Sequence, residues 1–302
     1  MTAVKIVKPI PLTEAMLVAT NVTENDYSAI ANSTPYALGA RVISTSTHKV
    51  YECILAYTSA GSAVAPNLDT DHWVEVGPTN RWKAWDTSTT SKTAKSTSIT
   101  YQVTPGLAIN AVAARGLVGA TSVRVRLIDG STLYDQTVNV TRPPVASSWW
   151  EWFFGERESV ESALFIDLPA YPDADLYIDI AGGTDLAVGV LLFGQMRRYG
   201  IGVQHGATVG IQDYSRKEPD DFGEMELIER NYSDRASFDL VLNRYEVDSL
   251  KRFLTSIRAT PVLVIADDYY EACGIFGFVK DFEILIAYHH YSECSLDIEG
   301  MT

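Results

Sequence analysis

The chain has 302 residues, and its 46% hydrophobic and 21% charged content is that of a folded globular protein, which excludes a disordered chain. Lys and Arg number 24 against 38 Asp and Glu, a net charge of -14 that argues against a general nucleic-acid binder, because phosphate contacts need a basic face. The acidity also speaks against a peripheral protein on an anionic membrane, and the longest apolar stretch, Leu186 to Gly194, is far below the ~20 residues of a membrane helix, so no membrane insertion is expected.

Residues 1 to 17 carry two lysines but neither a long apolar core nor a small-residue cleavage site, so they do not read as a signal peptide. Cys53, Cys273 and Cys294 are too few for a disulfide framework and read as reduced thiols of a protein made in a cytoplasm. The Asn-x-Ser/Thr sequons at Asn21, Asn32, Asn139 and Asn231 then carry little meaning. Charge is unevenly spread. Residues 201–302 hold 9 Lys and Arg against 19 Asp and Glu, a net of -10, which leaves -4 for the first 200.

In chain order, Thr13 to Ala19 reads as a short helix with Thr13 as N-cap, followed by polar loop through Asn32. Residues 36–79 read as a compact β-module with strands at Arg41–Ile43, Lys49–Leu55 and His72–Val76. So small a module buries little apolar area and must lean on Tyr36, Tyr51, Tyr57 and Trp73 or on neighbouring domains. From 80 to 200 short strands recur at Ser98–Val103, Ala108–Ala114, Ser122–Ile128, Gln136–Val140, Ser162–Leu168, Ala174–Ile180 and Leu186–Phe193, which suggests a jelly-roll-like β-sandwich. Alternation over Ser122–Ile128 turns Arg124 and Arg126 toward water. The cluster Trp149-Trp150-Glu151-Trp152-Phe153-Phe154 is either a loop capping the sandwich core or a sticky surface for a partner subunit or a sugar.

Glycines 200, 202, 206 and 210 and Pro219 mark a flexible connection and a boundary near 199–221. Strand-like segments at Gly223–Arg230 and Ala236–Leu242 follow. Asn243 then reads as an N-cap with Glu246 three residues on, and Val247, Leu250, Phe253, Leu254 and Ile257 recur at helical spacing until Pro261. Further strands are expected at Val262–Ala266, Gly274–Val279, Phe282–Ala287 and Cys294–Ile298, giving an α+β domain with one helix on a sheet or split barrel. The expected organisation is an N-terminal arm (1–35), the β-module (36–79), the sandwich (80–200) and the α+β domain (201–302), mainly β overall.

Catalytic and metal motifs are missing. The five histidines show no HExxH or similar spacing, and His289 and His290, if on a strand, face opposite ways and cannot share an ion. Gly200-Ile-Gly202-Val-Gln-His-Gly206 has its third glycine one place late for a dinucleotide fingerprint. Asp220-Asp221 and Asp267-Asp268 read as solvated turn acids. No catalytic residue, metal or cofactor is expected, and the protein is not read as an enzyme.

The module carries a resemblance. Tyr36-Ala-Leu-Gly39-Ala-Arg-Val42, Val50-Tyr51-Glu-Cys53, Pro66 and His72-Trp73-Val-Glu-Val76-Gly77 look like the carbohydrate-binding module of chitinases (family 5/12). There, exposed aromatics stack on sugar rings, an apolar match made at little entropic cost. Trp73 and Tyr51 fit the pattern, Tyr36 more loosely, and Tyr57 lies beside them; these aromatics are either a sugar-contacting set or the module's own core. With Asn21-Val-Thr-Glu-Asn-Asp26 before it, Val76-Gly-Pro-Thr-Asn-Arg-Trp-Lys-Ala-Trp-Asp86 after it and Cys294-Ser-Leu-Asp-Ile-Glu-Gly-Met301 closing the chain, the layout is similar to tail-tip proteins of long non-contractile-tailed bacteriophages. Its last domain also resembles the tail-tube-like ring domain of distal tail proteins. The resemblance implies a virion subunit forming a ring, a hexamer in that family, with the tail tube, tail-tip and hub proteins and host surface glycan as partners. A lumen lined with the carboxylates of residues 201–302 would let DNA pass without sticking. The alternative is a secreted glycan-binding or glycan-hydrolysing protein, for which an export signal and a catalytic acid pair are both missing.

Overall fold

The computed structural model describes residues 3–142, 148–155, 158–204, 206–219, 224–267, 270–286 and 288–301. The protein is mainly β, built from antiparallel sheets, one curled into a half-barrel, with two α-helices among the described residues. Contacts gather the chain into a terminal unit (Met1–Ile10, Ile109–Ala111 and Phe193–Thr302) and a central unit (Pro11–Ala108 and Val112–Leu192).

The first strand, β1 (Val4–Pro9), helps to set that division. Val4, Ile6 and Val7 are fully buried, because β1 lies antiparallel between Val190–Tyr199 and Val262–Ile265. A free arm would have left these side chains in water. The expected arm over 1–35 is therefore split, its first ten residues joining the C-terminal third. The division nearest the expected boundary at 200/201 falls between Leu192 and Phe193, inside a strand.

In the central unit, β2 (Leu17–Thr20) stands where a helix was expected over Thr13–Ala19. Only Glu14–Met16 makes a 3-10 turn, Thr13 gives no side-chain cap, and β2 pairs instead with Ser98–Val103. The module follows as β3 (Arg41–Ser44), β4 (Lys49–Cys53) and β5 (Trp73–Pro78), a three-stranded antiparallel sheet in that order. A larger sheet is formed by β6 (Ser98–Val103), β7 (Val118–Asp129), β8 (Ser131–Asn139) and a 14-residue strand, Asp175–Val188. Val123, Val125 and Leu127 of β7 are buried on one face. On the other, Arg124 bonds Asp135 and Arg126 bonds Asp179 at 2.7 Å, as the alternation requires.

The aromatic cluster forms helix α1 (Trp149–Phe154), closed by a Ser148–Glu151 capping box. It does not cap the core: Trp149 is 80% and Trp150 70% exposed, and Trp152, Phe153 and Phe154 also lie more than half in solvent. The strand Asp175–Val188, β9, completes the sheet order β8-β7-β9-β6-β2. The strand expected over Leu186–Phe193 is divided at Gly189, whose N–H turns back to the carbonyls of Arg115 and Gly116, so its halves end β9 and begin β10 (Val190–Tyr199).

In the terminal unit, β11 (Arg216–Pro219) and β12 (Met225–Ile228) form a two-stranded ribbon. Next come β13 (Tyr232–Asn243), helix α2 (Val247–Ser256), β14 (Val262–Ile265), β15 (Gly274–Leu285) and β16 (Tyr291–Gly300). The sheet runs β10-β1-β14-β15-β16-β13, and Leu250, Phe253, Leu254 and Ile257 pack into one core with Val4, Ile6, Phe238, Leu240 and Leu296. Asn243 is not the N-cap. Its N–H donates to Glu246 Oε2 at 3.1 Å, and the helix starts one turn later, with Glu246 in the cap position. The expected flexible glycine link is ordered in part: Gly202 and Val203 pair with Val241 and Leu240, while His205 lies outside the described residues. Two strands expected over Gly274–Ala287 are one, β15, with a register shift between Val279 and Asp281. Asp220, Asp221 and Asp268 lie outside the described residues.

Candidate functional site

In the module, alternation along β4 and β5 places Tyr51, Cys53 and Trp73 on the same inner face as Val42 of β3. Trp73 is 3% exposed and Tyr51 4%. Tyr36 and Tyr57 are half-buried and pack against this core. Trp73 meets Tyr36 edge-on at 5.1 Å and Tyr57 at 6.1 Å, and its indole N–H donates to the Tyr57 hydroxyl at 2.7 Å. Burial raises the Tyr57 phenol above its ordinary pKa, while that indole donor pulls the other way. His72 stacks on the Tyr57 ring at 4.0 Å, Tyr51 shares a hydroxyl contact with Thr47 at 3.1 Å, and the Ala31 N–H donates to the Tyr36 hydroxyl. The structure thus brings all four aromatics together, but as a satisfied core. Neither Trp73 nor Tyr51 offers a free ring face on which a pyranose could stack.

The segments flanking the module meet in a polar junction. Glu24, with a side chain only 5% exposed, receives the Thr79 hydroxyl at 2.8 Å and His48 Nδ1 at 3.0 Å, and Arg81 lies 3.6 Å away. Asp26 accepts the Asn80 N–H at 2.8 Å, and Arg81 Nε donates to the Val22 carbonyl. His48 stacks on Trp82 at 4.4 Å and holds a left-handed backbone, φ 57°. Residues 21–26 and 76–86, singled out in the sequence only as flanks, are therefore clamped to each other through the β3–β4 turn. No local signal marked His48 or Glu24, since their pairing spans 24 residues of separation.

Among the described residues no group of three or more His, Cys, Asp or Glu is placed to hold a metal ion. His289 and His290 lie in a bend before β16, not on a strand, and their rings meet edge-on at 4.9 Å. The three cysteines are free and buried. Burial, with Asp239 nearby, pushes the Cys294 thiol up to about 11, and burial raises Cys273 too, so both are poor nucleophiles.

What the surface offers is apolar. The α1 rings stack on one another, Trp150 on Phe154 at 4.2 Å and Trp152 edge-on to Phe153 at 4.8 Å. The β11–β12 ribbon exposes Met225 (60%) and Leu227 (70%). Exposed apolar patches of this kind are a common feature of docking surfaces. No family model matches the chain, and no curated protein matches it.

Proposed function

We propose that this chain is a structural subunit of a bacteriophage tail tip, of distal tail type, which works by assembling with copies of itself and with neighbouring tip proteins and carries out no catalysis. The observation that carries the reading is the apolar side chain left in water on ordered elements. The five aromatics of α1 are each 51–80% exposed. At roughly 150–250 Å² per ring they present on the order of 600 Å² in one patch, the upper end of what monomers carry. The resemblance of residues 21–86 to tail-tip proteins supports the same reading, and the net charge of -10 over residues 201–302 suits a ring whose lumen passes DNA. In this reading the module is a brace. Its best-matching aromatics, Trp73 and Tyr51, are used inside, and its flanks are clamped through Glu24. No observation favours a secreted glycan-hydrolysing protein.

Light scattering and negative-stain microscopy of the purified chain test the proposal. A closed ring, with antibody against the chain decorating the tail tip of intact particles, is the expected result. A monomer at every concentration, with label absent from the tail, would end it.

A further inference from the structure

One concavity of the acidic terminal unit is basic. It has a volume of about 320 Å³ and is lined by Lys8, Arg197, Ser249, Arg252, Phe253 and Ser256, three cations with no carboxylate among them. The fold explains the grouping. Lys8 follows Ile6 on the face of β1 turned to α2, and Arg197 of β10 is the register partner of Ile6. Residues 249, 252, 253 and 256 form an i, i+3, i+4, i+7 stripe along α2. The Arg197 guanidinium carbon lies over the Phe253 ring, 4.8 Å from its centroid, a cation–π contact that uses none of its N–H donors. Arg252 spends Nε on the Asp248 carbonyl at 3.2 Å, leaving its two terminal nitrogens.

The same unit carries a complementary feature. On the β11–β12 ribbon Glu218 and Glu226 stand directly opposite each other, a like-charge pair that weakens an isolated ribbon. Arg216 neutralises Glu218 at 2.7 Å, whereas Glu226 has no hydrogen bond or ion pair among the described residues. Residues 216–230 hold six acids against three bases. The opposite ribbon face carries Met225 and Leu227 beside Pro219 and Lys217.

We propose that the Glu218–Glu226 face of the β11–β12 ribbon of one copy docks in the Lys8–Arg197–Arg252 concavity of the next. The contact joins two different surfaces of one chain, so it is heterologous and propagates until it closes, the geometry of a ring. Free guanidinium donors receive the uncompensated Glu226 carboxylate beside the Arg216-paired Glu218, and Phe253 supplies an apolar floor. This inference rests on the assembly reading above and names the contact that builds it.

The test uses the full chain in three forms: wild type, a pocket reversal (Arg197→Glu with Arg252→Glu) and a ribbon reversal (Glu218→Lys with Glu226→Lys). All four positions are on the surface, so thermal melts should coincide. In sedimentation, each reversal should raise the concentration needed for assembly by roughly a hundredfold, since like charges replace opposite ones. A mixture of the two reversals meets opposite charges at both junctions, wild-type ribbon in wild-type concavity and reversed ribbon in reversed concavity, and should assemble again as an alternating ring. Combining all four substitutions in one chain should restore rings. A wild type that assembles while both reversals assemble equally well overturns the docking and leaves the ring standing. A wild type that never assembles overturns both.

Discussion

Replacing Trp73 by alanine separates the two roles open to the module's aromatics. The ring is 97% removed from solvent, touches Tyr36 and Tyr57 edge-on, and satisfies the Tyr57 hydroxyl through its N–H. Returning ~200 Å² or more of apolar surface at about 25 cal/mol per Å² gives roughly 5 kcal/mol as an upper figure. Partial collapse of the site lowers it to about 4 kcal/mol, within the range for buried aromatic truncations. That is most of what so small a β-module can contribute, so the loss should appear as local opening over residues 36–78 while β6, β7 and β9 stay protected. Hydrogen exchange read by mass spectrometry resolves the two regions, which a single melting curve cannot do for a chain of two units. Trp73→Phe, which keeps a ring but drops the donor, should cost about 1–2 kcal/mol. Unchanged protection over 36–78 in Trp73→Ala, together with lost binding to chitin oligosaccharides, would refute the core assignment and return Trp73 to a sugar-contacting role.

Three other outcomes follow from the structure. Glu24→Ala leaves the Thr79 hydroxyl and the Arg81 charge without their acceptor and should cost about 3 kcal/mol, read as a lower urea midpoint for the central unit. Gly277→Ala would drive a Cβ into the Glu299 carbonyl between β15 and β16; a loss of about 2–3 kcal/mol is expected, and a neutral result in a urea titration contradicts the close approach. Cys294 titrates near 11 in the fold against 9.0 in the open chain, so from pH 9 to 11 the unfolded state holds fewer protons. Stability is therefore full below pH 9 and falls as pH rises through 11, by at most about 2–3 kcal/mol, and Cys294→Ala should flatten that slope in melts taken across the range.

Much of the fold was readable from local pattern. β6 appears over Ser98–Val103 with the bounds its alternation announces, and α2 follows the spacing of Leu250, Phe253 and Leu254. In both, the side chains that must leave water repeat at the period of the backbone, so period and burial carry one message. The helix expected at Thr13–Ala19 did not form, because β2 gains a partner in β6 that no local window contains. The four module aromatics were visible as a set, but their exposure was not, since the same spacing serves a core or a sugar face until β4 and β5 are paired.

By itself, the sequence determined the mainly-β class, the acidity of residues 201–302 and which residues carry aromatic or apolar bulk, because composition and short periodicity are local properties. Tertiary structure decided the rest: β1 joined to a strand nearly two hundred residues away, Glu24 held by Thr79, Trp73 turned inward, α1 left in solvent, and Lys8, Arg197 and Arg252 gathered around one concavity. Each of these depends on which distant segments pair. That choice is made by the total area buried across the whole chain, a quantity no short stretch of residues contains.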